Sequence, residues 1–282
     1  MKRLTWVWVL AALTAASIEP ILAKFGYRGD ATPDQLLVMK NVVAACMILP
    51  LTRAWKWVGR SGLMKMASVS LLLLFTNTCS LIAVKYLPAT TVITLVTTTP
   101  AFVALSNQWR GRDILGARYW TGFSMCFLGV ALSVDALHSG PMVFHPVGFA
   151  AVAGSITSST IYRTRLEDVT AEFKPALVST YIFVINAVLV LLFVAPFMKP
   201  IPGSMAPIGL WIGLAAAVAN FAFLSAIHLV GATKMSIFDL LQRPIVLVGA
   251  SLALHEVLDW TQWVGVVLVL AGVRLAKVQR KR

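Results

Sequence analysis

Apolar residues run along this chain in long blocks separated by short polar clusters, with no regular alternation between them. The blocks fall at about residues 4–25, 35–54, 63–84, 89–109, 117–136, 146–163, 175–196, 206–230, 233–254 and 259–277. Each approaches the ~20 residues an α-helix needs to cross a hydrocarbon layer about 30 Å thick. A transmembrane β-barrel would instead read as short alternating strands. The pattern predicts an all-α membrane protein of ten transmembrane helices. The basic start at Met1-Lys2-Arg3 has a signal-peptide flavour, but its apolar run is long and its small-residue cleavage site poor, so it reads as a retained first helix.

The same pattern occurs twice. Residues 77–130 are echoed by residues 220–273, with an offset of 143 positions. That offset maps Asn77 onto Asn220, Ala89-Thr90 onto Ala232-Thr233, Asp113 onto Glu256, Trp120 onto Trp263, Gly122 onto Gly265 and Gly129 onto Gly272. Pro100 and Pro244 are one residue out of step. Such regularity marks an internal duplication. It divides one integral membrane domain into a first five-helix repeat, 1–140, and a second, 141–282.

Composition agrees with a bilayer environment. Of 282 residues 59% are hydrophobic and 12% charged, and the mean hydropathy is +0.82. A soluble domain carries about 25% charged residues. The net charge of +13 would suggest a nucleic-acid partner in a soluble protein, but no extramembrane segment is long enough to fold into such a module. The Lys and Arg residues instead sort by side. With a cytoplasmic N-terminus, eighteen of the 24 fall inside and four outside, leaving Lys40 and Arg243 within the membrane. Both termini are then cytoplasmic. Five helices per repeat invert the second half relative to the first, the arrangement of many secondary transporters.

Both halves carry a tight helical hairpin, a mid-helix proline, an acidic residue before the next helix, then Trp-x-Gly with a second Gly seven residues on. These are Pro100, Asp113, Trp120, Gly122 and Gly129, then Pro244, Glu256, Trp263, Gly265 and Gly272. In this the chain resembles the EamA-type transporters of the drug/metabolite transporter superfamily over essentially its whole length. The resemblance implies two five-helix repeats and transport of a metabolite, without choosing among amino acids, amines and sugars. The first helix departs from the family in lacking a Trp near its middle, where Ser17-Ile18-Glu19-Pro20 stands instead.

Ionisable groups inside a membrane cost about 2.5–3.5 kcal/mol each even on insertion scales, so each needs a reason. Lys24 is close enough to a helix end to snorkel. Glu19 and Lys40 lie at matching depth on the first two helices, so they form either a structural ion pair or a substrate or proton site. Burial favours a neutral carboxyl and a nearby Lys a charged one, and this tension makes Glu19 the candidate for proton coupling. Asp239 and Arg243, four apart, fall on one face of the ninth span. They read as a self-neutralised pair, or as Arg243 binding a substrate carboxylate or phosphate while Asp239 holds it. The corresponding stretch of the fourth span is uncharged and includes Thr98. Asn77 and Asn220 suit interhelical hydrogen bonds as well as a cavity. Tyr162 occupies the repeat position of Glu19 and Tyr181 is near that of Lys40, so both could line the cavity's second half. The two repeats are expected to rock about these residues.

Cys46, Cys79 and Cys126 lie in apolar runs without metal spacing, and His138, His145, His228 and His255 make no ligand pattern. Asp113 and Glu256 read as helix caps. No cofactor is expected, and no arrangement of an intramembrane protease or lipid transferase is present. The expected function is secondary export of an amino-acid-like or amine metabolite, coupled to protons, across the cell inner membrane. Import or facilitated passage of a cationic metabolite is the alternative, and an intramembrane enzyme the reading from another class.

Overall fold

The computed structural model describes residues 3–52, 56–87, 89–133, 145–254 and 259–280. Glu256, His138 and His255 lie outside these. Twelve α-helices occur among the described residues: α1 (Arg3–Arg28), α2 (Pro33–Thr52), α3 (Gly59–Tyr86), α4 (Ala89–Val96), α5 (Thr99–Trp109), α6 (Ala117–Ser133), α7 (Pro146–Glu172), α8 (Pro175–Phe193), α9 (Ala206–Val230), α10 (Ala232–Asp239), α11 (Gln242–Leu254) and α12 (Trp260–Leu275). Two short strands, β1 (Asp113–Leu115) and β2 (Val278–Arg280), pair antiparallel. The 143-residue offset carries α4 onto α10 residue for residue, 89–96 onto 232–239.

Two of the ten expected spans are therefore broken, in the same place. The fourth parts at Thr97–Thr98 and the ninth at Leu240–Leu241. Proline is the cause: Pro100 and Pro244 lack an N–H and crowd the carbonyl one turn back. At the first break three hydroxyls close the gap. Thr97 Oγ1 donates to the Ile93 carbonyl, Thr98 Oγ1 to that of Leu95 and Thr99 Oγ1 to that of Val96, each at 2.7 Å. Fully buried Tyr119 donates its hydroxyl to the Pro100 carbonyl at 2.9 Å, tying α6 to the start of α5.

Four described helices are long and apolar enough to cross a membrane, Thr5–Ala23, Gly59–Ser80, Pro175–Phe197 and Ala206–Val230, and the breaks remove the fourth and ninth spans from that set. The halves of a broken helix are each too short. Other boundaries moved as well. The sixth span, expected to stop at its first charge, runs on through Arg163 to Glu172, and the tenth ends at Leu275 and continues into β2.

The chain forms two compact units, each drawing on both halves of the sequence. Unit one comprises Met1–Leu71 and Leu166–Val230. Here α1 packs along α9, and α2 packs on α8 and α9. Glycines allow the close approach: a Cβ on Gly213 would meet the Val43 side chain at 2.5 Å and the Ala44 backbone at 3.1 Å. Around them Ala44, Ala45, Ile48, Phe183, Ala187, Ala216 and Ala217 form an alanine-rich core.

Unit two comprises Leu72–Arg165 and Gly231–Arg282. Its spine is α6 against α12. A Cβ on Gly122 would lie 2.6 Å from the Gly272 carbonyl oxygen, and one on Gly129 2.7 Å from that of Gly265. The repeat offset equates Gly122 with Gly265 and Gly129 with Gly272, so the contacts cross over between equivalents. This crossed pattern is that of an antiparallel helix pair. Cys126 sits at the same interface, its thiol 3.6 Å from the Val269 carbonyl oxygen. Asp113, expected as a cap, instead stands in β1 and is buried. Its carboxylate accepts from Thr233 Oγ1 at 2.6 Å, and Thr233 accepts from Asn107 Nδ2 at 3.0 Å.

Backbone atoms leave no room at these glycines. Gly265→Val, whose added Cβ would meet the Gly129 carbonyl oxygen and Ser133 within 2.7 Å, is expected to lose about 1–3 kcal/mol by overpacking. Gly203→Ala, where nothing lies within 4 Å, should be neutral. Melting midpoints of the purified variants compare the two.

Candidate functional site

Each unit carries its own group of charges among apolar helices. In unit one, Lys40 Nζ on α2 is hydrogen-bonded to Glu19 Oε1 on α1. Both side chains are less than one-third exposed, at 21% for Lys40 and 31% for Glu19. Glu19 follows Ser17, whose buried hydroxyl donates to the Leu13 carbonyl at 2.6 Å. The ion pair that matching helix depths allowed is present, and each member reduces the cost of holding the other out of water.

In unit two, the partner of Asp239 differs from expectation. Asp239 closes α10 and Arg243 follows in the first turn of α11, with the helix break between them. One continuous helix face, the premise for pairing them, does not exist here. Asp239 Oδ2 accepts from Arg163 Nη2 of α7 at 2.7 Å, with side-chain exposures of 16% for Arg163 and 25% for Asp239. Arg163 is further steadied by Ser236 and Ser159 hydroxyls, each 3.4 Å away. Arg243, half-buried, lies within the electrostatic reach of both Asp239 and Arg163. Among the described residues its guanidinium makes no side-chain hydrogen bond or ion pair. Among the described residues its fork of donors is therefore not committed to another side chain.

Arg163 was missed because it read as the cytoplasmic end of the sixth span. The signal was present. Ser155, Ser158, Ser159 and Tyr162 precede it at helical spacing, a polar stripe ending on a cation. Ser158 donates to the Leu72 carbonyl at 2.9 Å and Ser155 Oγ lies 2.8 Å from Ser80 Oγ, so that stripe faces α3 within the unit.

The remaining candidates divide. Asn220 accepts from Ser179 Oγ at 2.9 Å, an interhelical bond between α9 and α8. Asn77 on α3 is half-buried and makes no side-chain hydrogen bond among the described residues. Thr98 sits in the first break and spends its hydroxyl on the backbone. Tyr181 is buried and its hydroxyl donates to the Lys56 carbonyl at 3.2 Å. Tyr162 is buried in unit two. No group of three or more His, Cys, Asp or Glu suited to a metal occurs among the described residues.

Comparison with known proteins adds two findings. Residues 3–135 match the EamA-like transporter family, and residues 147–277 match it again. A solved structure described only as "Crystal structure of protein" superposes with a TM-score of 0.77 at 15% identity, covering 98% of this chain and 97% of that one. At that identity the likeness concerns the fold alone. No curated protein matches the chain.

The Arg163–Asp239 pair yields a stability test. Asp239→Ala removes the carboxylate that neutralises Arg163 and is expected to cost about 2–3 kcal/mol, below the 3–5 kcal/mol of a fully buried pair because both side chains keep some exposure. The double variant Arg163→Met/Asp239→Leu should recover most of the loss, read as the melting midpoint.

Proposed function

The chain belongs to the EamA-like transporter family, and on that premise we propose that it is a secondary active transporter of a small polar metabolite. The substrate is an amino-acid-like or amine compound, exported across the inner membrane in exchange for protons. The observation that carries this reading is the uncommitted Arg243 guanidinium beside the break between α10 and α11. Discontinuous helices in transporters leave polar backbone and side chains available to a ligand in the membrane interior. Arg offers a planar fork that fits a carboxylate, and the Arg163–Asp239 pair holds the neighbouring charge in place.

The first break, with its threonines turned onto their own backbone, supplies no charge. A substrate with one anionic end and one neutral or cationic end suits that asymmetry. Glu19, held by Lys40, is the candidate coupling carboxylate: a proton arriving on it would release the lysine. Asn77, Asn220, Thr98, Tyr162 and Tyr181 complete the proposed substrate-binding set. In topology, the reading takes ten spans with the two repeats inverted and both termini cytoplasmic. The crossed glycine contacts of α6 and α12 and the distribution of Lys and Arg support it. Should Glu19 rather than Arg243 govern binding, the alternative of a carrier for plain cations takes its place.

Thermal stability of purified protein against a metabolite panel, at acid and alkaline pH, tests this. A ligand at 100 times its dissociation constant stabilises by about 2.7 kcal/mol. The expected result is a zwitterion response abolished by Arg243→Ala and weakened by Glu19→Gln; a response to plain cations that ignores Arg243 refutes the two-ended substrate. In proteoliposomes, flux driven by a proton gradient should disappear in Glu19→Gln. Unchanged pH dependence there would remove Glu19 from the coupling.

A further inference from the structure

At one end of unit two the β1–β2 ribbon joins two stretches far apart in sequence, with Asp113 opposite Arg280 and Leu115 opposite Val278. It is held from within. Val278 is buried in one cluster with Tyr119, Ile237 and Leu240, and Leu115 packs against that cluster. The segments 109–118 and 274–280 together hold Arg110, Arg112, Arg118, Arg274, Lys277 and Arg280 against one acid, Asp113. That acid is withdrawn: it is buried and its carboxylate accepts the Thr233 hydroxyl. Arg110, Arg118, Arg274 and Lys277 are exposed and Arg112 is half-buried.

Apolar groups stand among these cations. Trp109 is 86% exposed and Ile114 51%. The ribbon continues directly from α5 into α6 and out of α12. In a membrane transporter those helix ends lie at the bilayer surface, where exposed Trp and basic side chains meet headgroups. The charge belongs to this ribbon and is not general to the repeat, since the equivalent stretch of the second half, residues 252–261, contains no Lys or Arg.

We infer that the β1–β2 ribbon is a binding surface for anionic phospholipid headgroups of the leaflet it faces. The guanidinium and ammonium groups of the two strands' flanks hold lipid phosphate, Trp109 and Ile114 enter the interfacial layer, and the pairing of β1 with β2 keeps the cations together. A membrane surface fits better than an acidic protein because the patch begins at the helix ends and carries its own apolar contacts. Attraction of this kind falls off within a Debye length and weakens with salt. The inference rests on membrane insertion and is independent of the transported substrate.

The test uses the full chain in neutral detergent micelles, with the melting midpoint followed during titration with phosphatidylglycerol, phosphatidylcholine, inorganic phosphate or polyglutamate. Phosphatidylglycerol is expected to raise the midpoint at far lower concentration than phosphatidylcholine, with an effect that shrinks as salt is added. Arg274→Gln/Lys277→Gln should raise the half-effective concentration roughly thirtyfold, the usual contribution of two basic side chains at an anionic surface. The charge-preserving Arg274→Lys/Lys277→Arg should respond like the parent. Should the neutral pair not fold, Arg110→Gln/Arg118→Gln carries the same expectation. Equal responses to the two lipids, or a neutralised variant that still responds fully, overturn the inference. So does inorganic phosphate or polyglutamate matching phosphatidylglycerol at equal concentration.

Discussion

Hydrocarbon cannot hydrogen-bond, so each polar group placed in it must find a partner within the protein. Much of this structure answers that requirement. It makes the chain helical, and where proline breaks a helix it decides what may stand nearby. At Thr97–Thr99 the solution is local: three hydroxyls return to the carbonyls of the preceding turn, and Tyr119 reaches across to the Pro100 carbonyl. At that break the hydroxyl protons are spent on the chain's own backbone. At Leu240–Leu241 no hydroxyl occupies the equivalent place, and charged side chains flank the gap instead. A duplicated element has thus kept its shape in both copies while its polar chemistry has diverged.

Close helix packing depends on the same scarcity of driving forces. Lipid tails are as apolar as leucine, so helices associate through contact and complementarity of shape. Gly122, Gly129, Gly265 and Gly272 let α6 and α12 meet backbone to backbone, each glycine of one repeat against the non-equivalent glycine of the other. The motif that marks the repeat in sequence is therefore the contact that joins its copies. Its recurrence supplies both sides of that contact, one glycine from each copy.

The charge groups show how a polar site survives in such surroundings. Glu19 with Lys40, and Asp239 with Arg163, are each paired and mostly shielded. Pairing lowers the cost of burial without abolishing it, so isolated pairs are poor explanations of stability and better ones of position. Arg243 differs in standing next to a satisfied pair with its donors uncommitted. Such a group gains most from an incoming anion, and this is why it anchors the functional proposal.

Helices, duplication and buried charges were legible because each depends on local composition or on spacing along one helix. The run lengths marked the helices, the 143-residue offset marked the copies, and the scarcity of charge made Glu19, Lys40, Asp239 and Arg243 conspicuous. Matching depth on neighbouring helices made a Glu19–Lys40 pair one of two readings, beside a substrate or proton site. Partner choice for Asp239 was not readable. It required knowing that a proline break separates Asp239 from Arg243 and that α7 continues past Arg163, whose charge had looked like a helix end. The β1–β2 ribbon escaped for a similar reason: three-residue strands have no periodicity of their own, and Asp113 meets Arg280 only after α6 and α12 have packed. Sequence alone determined what each segment must be to exist in a bilayer. The tertiary structure decided which polar groups satisfy one another, because that depends on distances between segments far apart in the chain.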